Sequence, residues 1–155
     1  MVTTRSESIR KIAKETVLNF IQNFPLSEQL LERIVLRLVN NLDFAEHEGR
    51  LTVLSVFERL IEHLPLAAFK GQLDLAIMAF TARLVNEEVP RVAEQCAKVF
   101  AGLVQKVHED EEHKGLLAKM FDHCGVWLRD ENEGTKRAGV QLLKTLFAAT
   151  GDYAK

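Results

Sequence analysis

The sequence predicts an all-α protein of about seven helices stacked as hairpins, and three observations lead there. Apolar residues recur with helical period along the whole chain. Three prolines and eight glycines are too few for a β-sandwich, which needs turn residues roughly every ten positions. The tetrapeptide Arg37-Leu38-Val39-Asn40 also returns as Arg83-Leu84-Val85-Asn86, 46 positions further on. Such a recurrence is expected where two equivalent helices end.

The first helix, "SIRKIAKETVLNFIQNFP", puts Ile9, Ile12, Ala13, Thr16, Val17, Phe20, Ile21 and Phe24 on one stripe. Pro25 ends it, because the residue before a proline avoids the helical region. "LSEQLLERIVLRLVNN" restarts at Ser27, a natural N-cap, with Leu30, Leu31, Ile34, Val35 and Leu38 on its apolar face. The third helix runs from about Glu46 to Leu64 and stops at Pro65. "LAAFKGQLDLAIMAFTARLVN" comes next, and Gly71 predicts that this helix starts late or bends there. Pro90 suits the first turn of the fifth helix, where its missing N–H is not needed. "EDEEHKGLLAKMFDHCGVWLRD" has acids at its start and Arg129 at its end, matching the helix dipole. In the last helix, "EGTKRAGVQLLKTLFAAT", Gly151 is the expected C-cap. No linker or composition break interrupts this, so residues 1–155 read as a single domain.

Bulk composition narrows the function. With 155 residues and 47% apolar content, the chain can bury a real core and is not disordered. Twenty basic and 22 acidic side chains give a net charge of −2, which leaves no basic footprint for general nucleic-acid binding. Cys96 and Cys124 form no CxxC, as suits a reducing compartment. The start, MVTTRSESIRK, has no apolar signal-peptide core, and no apolar run reaches membrane-span length. The reading is of a soluble intracellular chain with no membrane partner.

The segments downstream of each recurrence extend the repeat. After Asn40 the chain turns to Arg50 and "LTVLSVFERLIEHL"; after Asn86 it turns to Arg91 and "VAEQCAKVFAGLVQKV". Val53, Leu54, Phe57, Leu60 and Ile61 correspond to Cys96, Ala97, Phe100, Leu103 and Val104, each 43 later. A degenerate third copy has Asp130 for the asparagine and Arg137 for the arginine, with Leu142, Leu143 and Leu146 behind them. A shift of 40 also puts Arg10 on Arg50, Val17 on Phe57, Ile21 on Ile61 and Pro25 on Pro65. A two-helix period of about 40–47 residues is the mark of HEAT or armadillo repeats. One hairpin cannot bury its own stripe, so hairpins stack into a solenoid. Asn40, Arg50, Asn86, Arg91, Asp130 and Arg137 resemble the HEAT consensus residues that tie adjacent loops, although their spacing varies. At the ends, Phe20, Ile21 and Phe24, and Leu146 and Phe147, lack a polar cap. The chain therefore reads as a slice of a longer solenoid, able to self-associate end to end.

The candidate chemistry is sparse. His108 and His113 are five apart, whereas the zinc-protease helix needs histidines four apart. Adjacent His123 and Cys124 point to different faces. Glu109, Asp110, Glu111 and Glu112 read as a solvated turn and helix start. Cys96 sits on a core stripe as a small buried thiol, and Phe121 and Trp127 share an apolar face with Leu117 and Leu128. Arg5, Arg10, Lys11 and Lys14 cluster on the first helix, as a solvated face or an RNA-contacting one. No glycine-rich phosphate loop, nucleophile elbow or kinase signature occurs. No catalytic residue, metal site, cofactor or small-molecule substrate is expected.

Four stretches, "VTTRSESIR", "FIQNFPLSEQLL", "LDFAEHEGRLTVLSVFERLIEHLP" and "ARLVNEEVPRVAEQCAKVFAGLV", resemble one family. It is that of U-three snoRNA-associated protein twenty, giant HEAT-repeat components of the small-subunit processome. Phe24-Pro25-Leu26, Glu48-Gly49-Arg50 and Leu84-Val85-Asn86-Glu87 carry the pattern by their order and spacing. The likeness covers about residues 2–107; beyond, the helical pattern alone supports it. The resemblance implies a non-enzymatic nucleolar scaffold in small ribosomal subunit biogenesis. It also implies processome proteins, and pre-rRNA or snoRNA, as partners. The rival within the fold is a generic HEAT/armadillo adaptor in transport or complex assembly. The rival from another class is a small helical metalloprotein using the His, Cys and Glu set of residues 108–124.

Overall fold

The computed structural model describes residues 6–151, which hold seven α-helices, one 3-10 segment and no strand. The helices are α1 (Glu7–Asn23), α2 (Glu28–Asn40), α3 (His47–His63) and α4 (Leu73–Asn86), then α5 (Pro90–Glu109), α6 (Lys114–Leu128) and α7 (Glu133–Thr150).

Their ends arise from local chemistry. Phe24 is extended (φ −121°, ψ 135°) ahead of Pro25, and the Ser27 hydroxyl accepts the Leu30 N–H at 3.3 Å to open α2. The 3-10 segment Leu66–Gln72 contains Gly71, and α4 begins only at Leu73, the late start expected at a glycine. Pro90 is the first residue of α5. Asn132 caps α7 through Gly134 and Thr135 N–H, and Gly151 closes it with φ 68°, a conformation glycine adopts without strain. The acids of 109–112 lie differently from the expectation. α5 runs on through Glu109, and α6 starts at Lys114 with no acid in its first turn. Asp110 accepts the Glu112 N–H at 2.9 Å and so stabilises the turn between the two helices.

The odd-numbered helices form a row: α1 packs on α3, α3 on α5, and α5 on α7. This is the neighbour-to-neighbour order expected of stacked hairpins. The even helices are less regular. α2 meets α4 and the 3-10 segment, α4 packs on α5 and α7, and α6 lies mainly against α7. One continuous apolar cluster runs from Ile21 to Leu146. At its centre Phe80 of α4 sits between Phe57 and Phe100, with ring centroids 5.1 and 5.7 Å away. These two phenylalanines are the repeat equivalents 43 positions apart. Their aligned neighbours Val53, Leu54, Leu60, Ile61, Cys96, Leu103 and Val104 are all buried, and Ala97 is half-buried.

The two ends are not alike, and here the structure corrects the sequence reading. On α1 the stripe splits: Ala13 and Ile21 are buried with Arg10, while Ile9, Ile12, Phe20 and Phe24 stay exposed. Leu146 at the other end is fully buried, on a helix that α4, α5 and α6 all pack against. Phe147 is half-buried against Phe121, with ring centroids 5.8 Å apart.

Candidate functional site

Loop chemistry, rather than a pocket, organises the polar residues. Arg50, at the start of α3, is buried and bonds to two loops. Its Nη1 donates to the Phe44 and Ala45 carbonyls at 2.7 and 2.9 Å. Its Nε and Nη2 form a two-point pair with Glu87 at 2.9 and 2.8 Å. Arg83 reaches the same carboxylate from the last turn of α4, with Nε 3.2 Å from Oε2. That contact lacks hydrogen-bond alignment, so it acts through charge. Arg83 Nη1 also pairs with Asp43 at 3.1 Å. The Glu87 side chain is only 1% exposed. Burial pushes its carboxyl up, but the hydrogen bonds from Arg50 and the Val89 N–H, with the charges of both arginines, outweigh that and hold it below its ordinary value.

The other ladder positions take different roles. Asn86 Nδ2 donates to the Ala82 carbonyl in its own helix, and in the earlier copy it is Asn41, not Asn40, that does so, to Arg37. Asn40 is exposed. Arg91 is exposed and 3.7 Å from Glu48. Asp130 accepts the Asn132 N–H at 2.7 Å, and Arg137 is exposed. Glu87, the real junction, stands out in the sequence only as the acid after Leu-Val-Asn. Its main partner, Arg50, lies 37 residues away, and the one local mark is Arg83, one helical turn back.

Two grooves flank this core. One, of about 590 Å³, lies along α1, α3 and α5 and is lined by Lys14, Glu48, Glu58, Arg91, Gln95 and Lys98 among others. Glu58 bridges α3 to α5, accepting from Lys98 at 2.7 Å and Gln95 at 3.0 Å. The Lys98 hydrogen bond is the main influence holding its carboxyl low. The charges here answer one another across helices, so the groove has no net appetite for an anion or a cation. The second, of about 460 Å³, is mostly apolar and lies between α4 and the α6–α7 hairpin, with Met78, Val85, Trp127 and Ala138 in its walls.

Of the basic cluster, Arg5 lies outside the described residues. Arg10 is buried, Lys11 is exposed, and Lys14 stands half-buried at the rim of the charged groove. Arg10, Lys11 and Lys14 thus differ in exposure. Cys96 and Cys124 are buried, and burial pushes their thiols up to about 12 and about 11. Neither is a thiolate at neutral pH. His113 Nδ1 lies 3.2 Å from Asp110, and this contact is the main influence that lowers the Asp110 carboxyl. Among the described residues no group of three or more His, Cys, Asp or Glu side chains could hold a metal ion. No described helix is long and apolar enough to cross a membrane.

Comparison with known proteins gives one consistent likeness. Over 153 residues, 97% of its length, the chain is 23% identical to U3 small nucleolar RNA-associated protein 20 of Schizosaccharomyces pombe. Over 152 residues it is 20% identical to the protein of the same name from Saccharomyces cerevisiae. The chain spans about 6% of the length of each relative. It is thus similar to a segment of these proteins, and the likeness runs on through α6 and α7. No family model and no solved structure matches the chain.

Proposed function

We propose that the chain is a non-catalytic HEAT-repeat scaffold segment working in small ribosomal subunit biogenesis, in pre-rRNA processing and assembly of the small-subunit processome. One observation carries this reading: the likeness to U3 small nucleolar RNA-associated protein 20 from two yeasts along nearly the whole chain. The fold supports it. A row of helices tied by buried loop contacts presents fixed surfaces. Its mechanism is surface presentation in the nucleolus, with other processome proteins, and pre-rRNA or snoRNA, as the groups held. On α1, Lys11 and Lys14 are the described cations that such an RNA's phosphates would meet.

The test is affinity purification of the tagged chain from its own cells, joined to depletion and pre-rRNA profiling. Recovery of processome proteins with pre-rRNA, and accumulation of unprocessed precursor on depletion, are expected. Recovery of nuclear-import or vesicle components, with an unchanged precursor profile, would replace this reading with that of a transport adaptor.

A further inference from the structure

The groove between α4 and the α6–α7 hairpin carries chemistry that specifies an occupant. α2 packs on α4, but α4 and α6 each lean on α7. A gap of about 460 Å³ stays between them, so both of its walls belong to the chain. Met78, Val85, Trp127 and Ala138 make those walls apolar, and Met78 is 70% exposed.

Two asparagines on opposite walls each keep half of their amide unused. Asn86 Nδ2 donates to the Ala82 carbonyl at 2.9 Å, which leaves its Oδ1 as an acceptor. Asn132 Oδ1 accepts the Gly134 and Thr135 N–H groups at 2.7 and 3.2 Å, which leaves its Nδ2 as a donor. These partners fix which end of each amide is which. Both residues line the groove. An acceptor on one wall and a donor on the other match the N–H and C=O of an extended peptide. A helix spends those groups on itself.

Charge selects further. Asp74 stands one helical turn before Met78, Glu88 follows Asn86 by two positions, and Asp130 and Glu131 precede Asn132; all four are exposed. Of the nearby cations, Arg83 is held by Glu87 and Asp43, and Lys136 by Glu133. Arg137 lines the α5 side of α7. Among the described residues, Arg129 is left to offset the four carboxylates. Such a rim repels phosphate and draws in lysine or arginine, and the Trp127 ring gives a cation a face to rest on.

We propose that this groove binds an extended, lysine- or arginine-bearing segment of a partner protein. The backbone of that segment bonds to Asn86 and Asn132, an apolar side chain enters between Met78, Val85 and Ala138, and the cations beside it meet the acidic rim. The site adds a class of protein partner to the scaffold reading. Purified chain and synthetic peptide test it apart from any role in the processome.

Trp127 is the chain's only tryptophan, so its fluorescence reports on the groove directly. The probe is an octapeptide of alternating lysine and valine, titrated into the full chain. It is expected to shift the emission with a Kd of about 100 μM or tighter. A twin with glutamate for every lysine should not bind. The lysine–valine peptide N-methylated along its backbone keeps its charge but not its N–H groups, and should lose most of its affinity. Ala82→Arg sets a bulky cation on an exposed position of the α4 wall and should weaken binding about tenfold or more. Asn132→Ser keeps a good N-cap without the amide donor, and should weaken binding about fivefold at an unchanged melting temperature. No spectral change up to about 1 mM peptide would overturn the proposal. So would equal binding of either twin, or an affinity indifferent to Ala82→Arg or Asn132→Ser. Tighter binding of a single-stranded RNA at Trp127 would hand the groove to nucleic acid instead.

Discussion

Glu87 is a carboxylate kept ionised where water is nearly excluded, and two guanidiniums make that possible. Removing one member of such a buried cluster leaves the others uncompensated, at a cost of about 3–5 kcal/mol. Glu87→Gln strands Arg50 and Arg83 together, so a loss of about 3 kcal/mol is expected in urea unfolding at pH 7. The pH dependence has a definite sign. The carboxyl's ordinary value is 4.5 and the folded chain holds it lower. The folded state therefore binds this proton less readily than the unfolded chain. The contribution is fully present above the unfolded value and is lost as pH falls through the folded one. The wild type should thus lose more stability between about pH 5 and pH 3 than Glu87→Gln does. Parallel acid limbs for the two proteins would show that Glu87 is not the group responsible.

Between elements, α7 comes close against α6 at Gly139. A Cβ there would meet Trp127 Cβ at 3.2 Å, Leu128 Cγ at 3.3 Å and the Cys124 carbonyl at 3.4 Å. A branched side chain cannot enter without prising α7 off α6, so Gly139→Val should lower stability by about 2 kcal/mol. Gly125, on α6, is the control. An added Cβ meets nothing within 4 Å, so Gly125→Ala should raise stability by about 0.5–1 kcal/mol through helix propensity alone. Thermal melts of the two variants separate close packing from propensity; equal shifts of the same sign would refute the distinction. Most helix boundaries are legible in the sequence because proline, serine and glycine act locally: Pro25, Ser27, Pro90 and Gly151 do so where expected. Asn132 escapes the sequence reading although it is a standard cap. The solvated turn lies where it is expected, but the helix start read into the same acids falls later, at Lys114, because the charge of Glu109 and Asp110 fits a helix start as well as a loop.

Across the whole molecule, the row of odd helices is legible from periodicity, since Phe57 and Phe100 have to occupy equivalent core positions. The inequality of the two ends is not. A stripe on α1 and a stripe on α7 read alike in sequence, and only the packing of α4, α5 and α6 on α7 shows that Leu146 is covered while Phe20 is not. The loop junction is half legible: Arg50 stands out by its place in the repeat, whereas its carboxylate partner requires three-dimensional proximity. The same asymmetry sets a gradient of local stability. In a row where each helix leans mainly on its neighbours, protection tracks how many flanks are covered. α5 packs on α3, α4, α6 and α7 and buries seven side chains along its length. α1 packs on α3 and buries three. α7 is an end in sequence but is sandwiched by α5, α4 and α6. Hydrogen exchange should therefore find amides of α5 exchanging only with near-global opening, those of α7 somewhat faster, and those of α1 first, by sub-global fraying. Uniform protection across α1, α5 and α7 at low concentration would mean that the chain opens as a single cooperative unit, and that the exposed stripe of α1 carries no energetic consequence for the rest of the row.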